Sequence, residues 1–175
     1  MIKAMASLAQ REGQLGMCLI LLLGFELFLR TGELFKLRVL DFVFDRKGRS
    51  MVVNLGMTKS GKRRGAPEQL VCNCAYLTAF TKFVCSDLDS GDFLFSGSNA
   101  DFRCLFSTLL LRLQLQEHGF RPYSVRRGGA TAAFRAGKSW TVMSEIGRWA
   151  SLQTLWIYVT DALAEIAAYK TEPSA

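Results

Sequence analysis

The stretch Phe42 to Cys72, FVFDRKGRSMVVNLGMTKSGKRRGAPEQLVC, decides the fold. It holds three β-prone runs: Phe42-Val43-Phe44, Met51-Val52-Val53-Asn54-Leu55, and Glu68 to Cys72. Asp45-Arg46-Lys47-Gly48-Arg49 separates the first two, a charged hairpin turn in which Gly48 supplies the positive φ. Thr58-Lys59-Ser60-Gly61-Lys62-Arg63-Arg64-Gly65 separates the second and third and reads as a polar, very basic loop. Three short strands in succession predict one small antiparallel sheet.

Outside this segment the pattern is helical. Leu15 to Leu29 reads as a buried helix, followed after Arg30-Thr31-Gly32 by a short helical stretch from Glu33 to Leu37. Further helices are predicted over Ala75 to Val84, Asn99 to His118, Tyr123 to Ala136, Val142 to Trp149 and Leu152 to Ala168. Pro122 stands at a helix start, where its missing N–H costs nothing. The expectation is a mainly α fold with a small three-stranded antiparallel β-sheet inserted early. No interior linker is visible, so residues 1–175 read as one domain.

Composition narrows the partners. Half of the 175 residues are hydrophobic, enough for a core. The 22 Lys plus Arg exceed the 15 Asp plus Glu, giving a net charge of +7. Such an excess favours nucleic acid or an anionic membrane surface, the alternative being a basic protein with no such partner. Three prolines and no repeat exclude a fibrous or linker protein. The apolar run from Leu15 breaks at Glu26, short of the ~20 residues that a span needs, so no membrane partner is predicted.

The five cysteines are odd in number and not densely spaced, and Met1 to Arg11 does not read as a signal peptide. Reduced thiols and an intracellular setting follow, the nucleus in a eukaryote or the cytoplasm and nucleoid in a prokaryote. Cys72-x-Cys74 with the lone His118 lacks a second ligand pair, so no metal and no cofactor is predicted.

Several cations sit in unusual company. Arg30 ends the longest apolar run and needs an anion or a carboxylate; Glu33 lies one turn on. Lys59, Lys62, Arg63 and Arg64 fall within six positions of a glycine-containing segment, suited to gripping a phosphodiester backbone or to a soluble tip. Arg126 and Arg127 open a helix, a good phosphate position, and Gly128-Gly129-Ala130 beside them permits close packing or close ligand approach. Tyr158 lies in the apolar Trp156-Ile157-Tyr158-Val159.

In order and spacing these residues resemble the catalytic domain of the tyrosine recombinases, the phage-type integrases and Xer-like and Cre-like enzymes. Leu29-Arg30-Thr31-Gly32-Glu33-Leu34-Phe35-Lys36-Leu37-Arg38-Val39-Leu40-Asp41 is similar to the family's first box. There an Arg is followed by Glu at +3, Leu at +4 and +7, and Asp at +11. Thr58-Lys59 falls where the family carries its catalytic lysine. Tyr123-Ser124-Val125-Arg126-Arg127-Gly128-Gly129-Ala130-Thr131 resembles the His-x-x-Arg box with its trailing Ala-Thr. Gly147-Arg148-Trp149, with Tyr158 nine positions after the Trp, matches the spacing between the family's His-or-Trp position and its nucleophilic tyrosine. The resemblance covers roughly Leu15 to Thr160, and the amino-terminal core-binding domain of full-length members is expected to be absent.

The resemblance implies DNA strand breakage and rejoining, and the residue types suit that chemistry. Two guanidiniums, Arg30 and Arg126, hold the non-bridging oxygens on which charge develops. Tyr158 attacks and forms a 3′-phosphotyrosyl link that conserves the bond energy, so rejoining needs neither ATP nor metal. Lys59, or Lys62 in its place, gives a proton to the departing 5′-oxygen. Trp149 donates its indole N–H to the phosphate or packs against the nucleophile's helix, and Glu33 orients the arginine side. Lys62, Arg63, Arg64 and Arg127 are the expected DNA-binding cations. One residue departs from the pattern: Tyr123 stands where the family has His, and because a phenol of pKa about 10 is a poor base at neutral pH, its expected catalytic part is a hydrogen bond to the phosphate.

The implied partners are double-stranded DNA and further copies of the chain, as a tetramer on two DNA sites with a carboxy-terminal helix, Ala162 to Tyr169, donated to a neighbour. The alternatives are a catalytically impaired DNA-binding relic, a type IB topoisomerase-like activity, and a helical domain that binds protein.

Overall fold

The computed structural model describes residues 1–160. The predicted sheet is present: β1 (Phe42–Phe44), β2 (Met51–Gly56) and β3 (Glu68–Cys72) pair antiparallel in the order β1-β2-β3. Phe42 faces Val53 and Val53 faces Leu70, one buried row; Val43, Val52 and Val71 form the outer row. The Asp45 carboxylate closes the first turn by accepting from the amides of Arg49 at 2.7 Å and Ser50 at 3.1 Å, and Gly48 has φ +63° as expected.

The segment between β2 and β3 is not the predicted loop. It forms a short helix, α4 (Lys59–Arg64), whose first turn is capped by Thr58 Oγ1 accepting from the Gly61 amide at 3.0 Å. Gly65, at φ +73°, ends it in the left-handed conformation that glycine favours. Both signals are present in the sequence; the density of charge and the internal Gly61 conceal them.

An amino-terminal helix, α1 (Ile2–Arg11), precedes the elements expected. Its buried face, Ile2, Met5, Ala6 and Ala9, has the i, i+3, i+4, i+7 spacing of an amphipathic helix. It packs on α2 (Leu15–Glu26), which is apolar nearly all round and lies at the centre of the core. α2 stops three residues before the predicted Leu29, because the backbone at Phe28 turns into the left-handed region with φ +48°. α3 (Thr31–Leu34) is a single turn that starts and ends earlier than predicted.

α5 (Ala75–Cys85) follows the sheet. α6 (Asn99–Arg112) is capped reciprocally by Ser98 and Asp101 and is shorter than the predicted helix to His118. Gln114, at φ +56°, breaks it, and Gln116–His118 is a separate 3-10 turn. α7 (Ser124–Arg135) and α8 (Trp140–Gly147) sit within two residues of their predicted bounds. Helix resumes over residues 152–160, labelled α9. The rest of that predicted helix, with Ala162 to Tyr169, lies outside the described residues.

Gly129 serves close packing, whereas a Cβ at Gly128 would make only ordinary contacts with the Phe25 ring at 3.6 Å and beyond. A Cβ at Gly129 would lie 2.0 Å from the carbonyl oxygen of Phe25, so only glycine lets α7 approach α2 this closely. Among the described residues, buried apolar side chains form two clusters. The larger surrounds α2; the smaller comprises Phe28, Ala130, Ala133, Met143, Leu155 and Val159. No helix among the described residues is long and apolar enough to cross a membrane.

Candidate active site

Arg30 directly precedes α3, and its side chain is about one-third exposed. Its amide donates to Glu33 Oε2 at 2.7 Å, and its Nη1 donates to Glu33 Oε1 at 2.8 Å and to Ser60 Oγ at 3.0 Å. The anticipated Arg30–Glu33 pair is thus present, and α4 supplies a further acceptor. Lys59, at the start of α4, is exposed and lines a cavity of about 470 Å³ with Arg30, Glu33, Lys36 and Lys62. Lysines on this rim meet an arginine already held in place by its carboxylate.

Arg126 occupies the first turn of α7 and is 2% exposed. Its guanidinium donates to the carbonyls of Phe28 and Gly147, the latter at 2.6 Å, and lies 4.6 Å from the ring centre of Trp149. Burial, with the nearby guanidiniums of Arg30 and Arg148, lowers its pKa to about 10. The two arginines expected to act together are therefore electrostatic neighbours.

Trp149 continues the contact chain. Its ring stands 5.8 Å from Phe28 and 5.2 Å from Tyr158, and its buried indole N–H has no partner among the described residues. Tyr158 lies on α9, half-buried, with its hydroxyl hydrogen-bonded to that of Tyr123. Thr131 Oγ1 donates to the Tyr158 carbonyl at 2.7 Å, which fastens α9 to the helix that carries Arg126.

Arg30, Glu33 and Lys59 thus share one cavity, while Tyr123, Arg126, Trp149 and Tyr158 form a contiguous set beside it. Lys62, Arg63 and Arg64 are exposed along α4, and Arg64 pairs with Glu68 at 3.6 Å. Arg127 is exposed on α7. His118 is outside this group, its ring 5.7 Å from Phe120. No group of three His, Cys, Asp or Glu is placed to hold a metal among the described residues.

Sequence reasoning misses the charged floor of the site. Arg148 is 5% exposed and donates through Nη2 to Glu33 Oε2 at 2.7 Å, while its Nε pairs with Glu68 Oε2 at 3.6 Å. Burial lowers the Arg148 pKa, and Glu33 and Glu68 oppose that shift. Glu68 in turn accepts from Thr58 Oγ1 at 2.5 Å and from Ser60 Oγ at 3.4 Å. The one trace in the sequence is the position of Arg148 between Gly147 and Trp149.

No family model and no curated protein matches the chain. Solved structures do match. The crystal structure of XerA recombinase superposes with a TM-score of 0.69 at 19% identity, covering 99% of this chain and 62% of that one. That of XerH site-specific recombinase, bound to its palindromic difH substrate as a post-cleavage complex, gives 0.73 at 15% identity, covering 98% and 52%. The chain thus has the fold of a tyrosine recombinase catalytic domain, as the resemblance implied, and spans between half and two-thirds of the length of these relatives.

Proposed function

We propose that this domain cleaves and rejoins double-stranded DNA as a site-specific recombinase or integrase does, with Tyr158 as nucleophile. The observation that carries the reading is the unbroken contact chain from Tyr158 through Trp149 to Arg126, with Arg30 as the neighbouring charge. These residues are dispersed in sequence, and a structural helical domain has no need to gather them.

Tyr158 Oη gives up its proton to solvent and attacks the scissile phosphorus, forming a 3′-phosphotyrosine and breaking the bond to the 5′-oxygen. The developing charge on the non-bridging oxygens is offset by Arg30, whose orientation Glu33 fixes, and by the positive field of Arg126. Trp149 offers its unpartnered indole N–H to the same oxygens. Lys59 protonates the departing 5′-oxygen, and Lys62 is the nearest substitute on the same rim. Tyr123 orients the nucleophile through its hydroxyl. Attack by the freed 5′-hydroxyl reverses each step. Lys62, Arg63, Arg64 and Arg127 bind flanking phosphates, and assembly of several copies on paired sites completes the reaction.

A binding-only relic is favoured by one observation: the Arg126 guanidinium donates to two main-chain carbonyls, Phe28 and Gly147. A nicked suicide duplex, whose 5′ fragment diffuses away after cleavage, separates the two readings. The expected result is a covalent protein–DNA adduct in wild type and none in Tyr158→Phe. Salt-dependent binding without an adduct on any duplex sinks the cleavage reading, and relaxation of supercoiled DNA without site preference assigns the chemistry to a type IB topoisomerase instead.

A further inference from the structure

We propose that Arg148 is a positioning residue: its guanidinium couples the Arg30 end of the site to the helix that carries Lys59, through the two carboxylates Glu33 and Glu68. The coupling stands on contacts alone, whereas its effect on cleavage rests on the function proposed above.

Three parts of the chain meet at this side chain. Glu33, on α3, holds Arg30 at 2.8 Å with one oxygen and Arg148 at 2.7 Å with the other. Glu68, on β3, faces Arg148 Nε at 3.6 Å and anchors both Thr58, the cap of α4, and Ser60 within α4. Ser60 closes the circuit by accepting from Arg30 at 3.0 Å. Arg148 itself comes directly after α8, next to Trp149 and to the Gly147 carbonyl that receives Arg126. A displacement of any one of these groups is therefore transmitted to the rest.

Geometry explains why the residue is arginine. A rigid planar guanidinium hydrogen-bonds Glu33 through Nη2 while it sets Nε 3.6 Å from Glu68 as an ion pair, a fixed two-sided placement that the single ammonium of a lysine does not give; Nη1 and Nε have no hydrogen-bond partner among the described residues. The backbone there adopts φ +55°, a left-handed conformation uncommon outside glycine and adopted here by a residue whose side chain is 3% exposed. Buried ion pairs are weak stabilisers compared with well-packed apolar residues. Fixing the relative placement of Arg30 and Lys59 gives this one a use that stability does not.

The test uses the full chain as Arg148→Met, Arg148→Lys, and the double variant Arg148→Met with Glu68→Gln, which removes the carboxylate left without its arginine. At saturating nicked duplex, Arg148→Met is expected to form adduct about 100-fold more slowly, the scale of a small misplacement in a catalytic site. Its DNA Kd stays within about threefold of wild type, since the Arg148 side chain is buried beneath the surface that DNA meets. Arg148→Lys recovers part of the rate. The double variant regains thermal stability over Arg148→Met without regaining the rate. Recovery of rate together with stability assigns Arg148 a merely structural role and overturns the proposal.

Hydrogen exchange decides the coupling independently of activity. In Arg148→Met, whose Glu68 still holds Thr58 and Ser60, peptides covering residues 30–36 and 57–66 are expected to exchange at least about tenfold faster than in wild type, with α2 and α5 unchanged. Unchanged exchange in those peptides overturns the proposal. A wild type that forms no adduct counts against the cleavage reading, while the exchange result still decides the role of Arg148.

Discussion

The hydroxyl of Tyr123 is hydrogen-bonded to the hydroxyl of Tyr158, 35 residues further along the chain. The two rings lie 6.0 Å apart, with Tyr123 about half exposed on the outer side. A position that in the resembled family carries an imidazole here carries a second phenol, in contact with the proposed nucleophile. Tyr123→Phe removes one hydrogen bond of that nucleophile and is expected to slow adduct formation about tenfold, the equivalent of ~1.4 kcal/mol. Tyr123→His supplies a base that titrates near neutrality and is expected to match or exceed wild type. Timed adduct formation on the nicked duplex measures both, and a Tyr123→Phe rate equal to wild type excludes Tyr123 from orienting Tyr158.

The cations of α4 make a separable contribution. Lys62, Arg63 and Arg64 are exposed on one short helix beside Lys59. Neutralising all three is expected to lower the slope of log K against log salt by about 0.9 for each phosphate that is no longer neutralised, nearly 3 in total. Titrations of a fluorescent duplex at several salt concentrations read this slope. An unchanged slope removes α4 from the DNA-binding surface.

Packing of α7 on α2 sets the distance between the two arginines of the site. A Cβ at residue 129 would meet the Phe25 carbonyl oxygen at 2.0 Å, a main-chain atom that does not rotate away. Gly129→Ala is expected to destabilise the fold by about 3 kcal/mol, at the upper end of overpacking costs. Gly128→Ala, whose Cβ would find Phe25 ring atoms at ordinary contact distances of 3.6 Å and 4.0 Å inside α7, is expected to stabilise the fold by about 0.5–1 kcal/mol, since alanine is the better helix former. Urea unfolding of the two variants gives the contrast; equal losses contradict the close approach at Gly129.

Burial raises the Cys18 thiol from its ordinary pKa of 9.0 to about 11. The folded protein keeps this proton over a range in which the unfolded chain has lost it. The resulting stabilisation is full below pH 9, and it is lost as the pH rises toward 11. Cys72 and Cys85 shift in the same direction, again chiefly through burial. Wild type is therefore expected to lose about 1–3 kcal/mol more than Cys18→Ala between these limits, read from urea unfolding. Parallel losses in the two proteins refute a buried, neutral Cys18.

How much of the molecule is legible in the sequence depends on how local the cause is. The strands are readable because valines and aromatic residues gather in short runs between two glycine-bearing connections, and Gly48 behaves as its turn requires. The same local logic recovers α7, α8 and the pairing of Arg30 with Glu33. Helix ends are less legible: Phe28 and Gln114 take left-handed backbone conformations that neither residue type announces, so two helices stop early. α1 is hard to recognise because its charges mask the spacing of Ile2, Met5, Ala6 and Ala9. The Arg148–Glu33–Glu68 floor is illegible because its partners come from α3, β3 and the end of α8, and only tertiary packing joins them.

Phe28 is a position under two incompatible demands. Its φ of +48° asks for glycine, since other residues bear roughly 1–2 kcal/mol of strain there. Its ring, 1% exposed, belongs to the smaller cluster, while Leu27 and Leu29 on either side belong to the larger one. Its carbonyl also receives Arg126. Replacement by glycine relieves the backbone and empties the cluster; replacement by a smaller apolar residue keeps the strain and still leaves a hole. No single substitution improves one demand without worsening the other, so mutation and selection have almost nowhere to go at this residue. This one awkward turn keeps Arg30 and Arg126 side by side, because Phe28 both receives Arg126 through its carbonyl and stands two residues before Arg30.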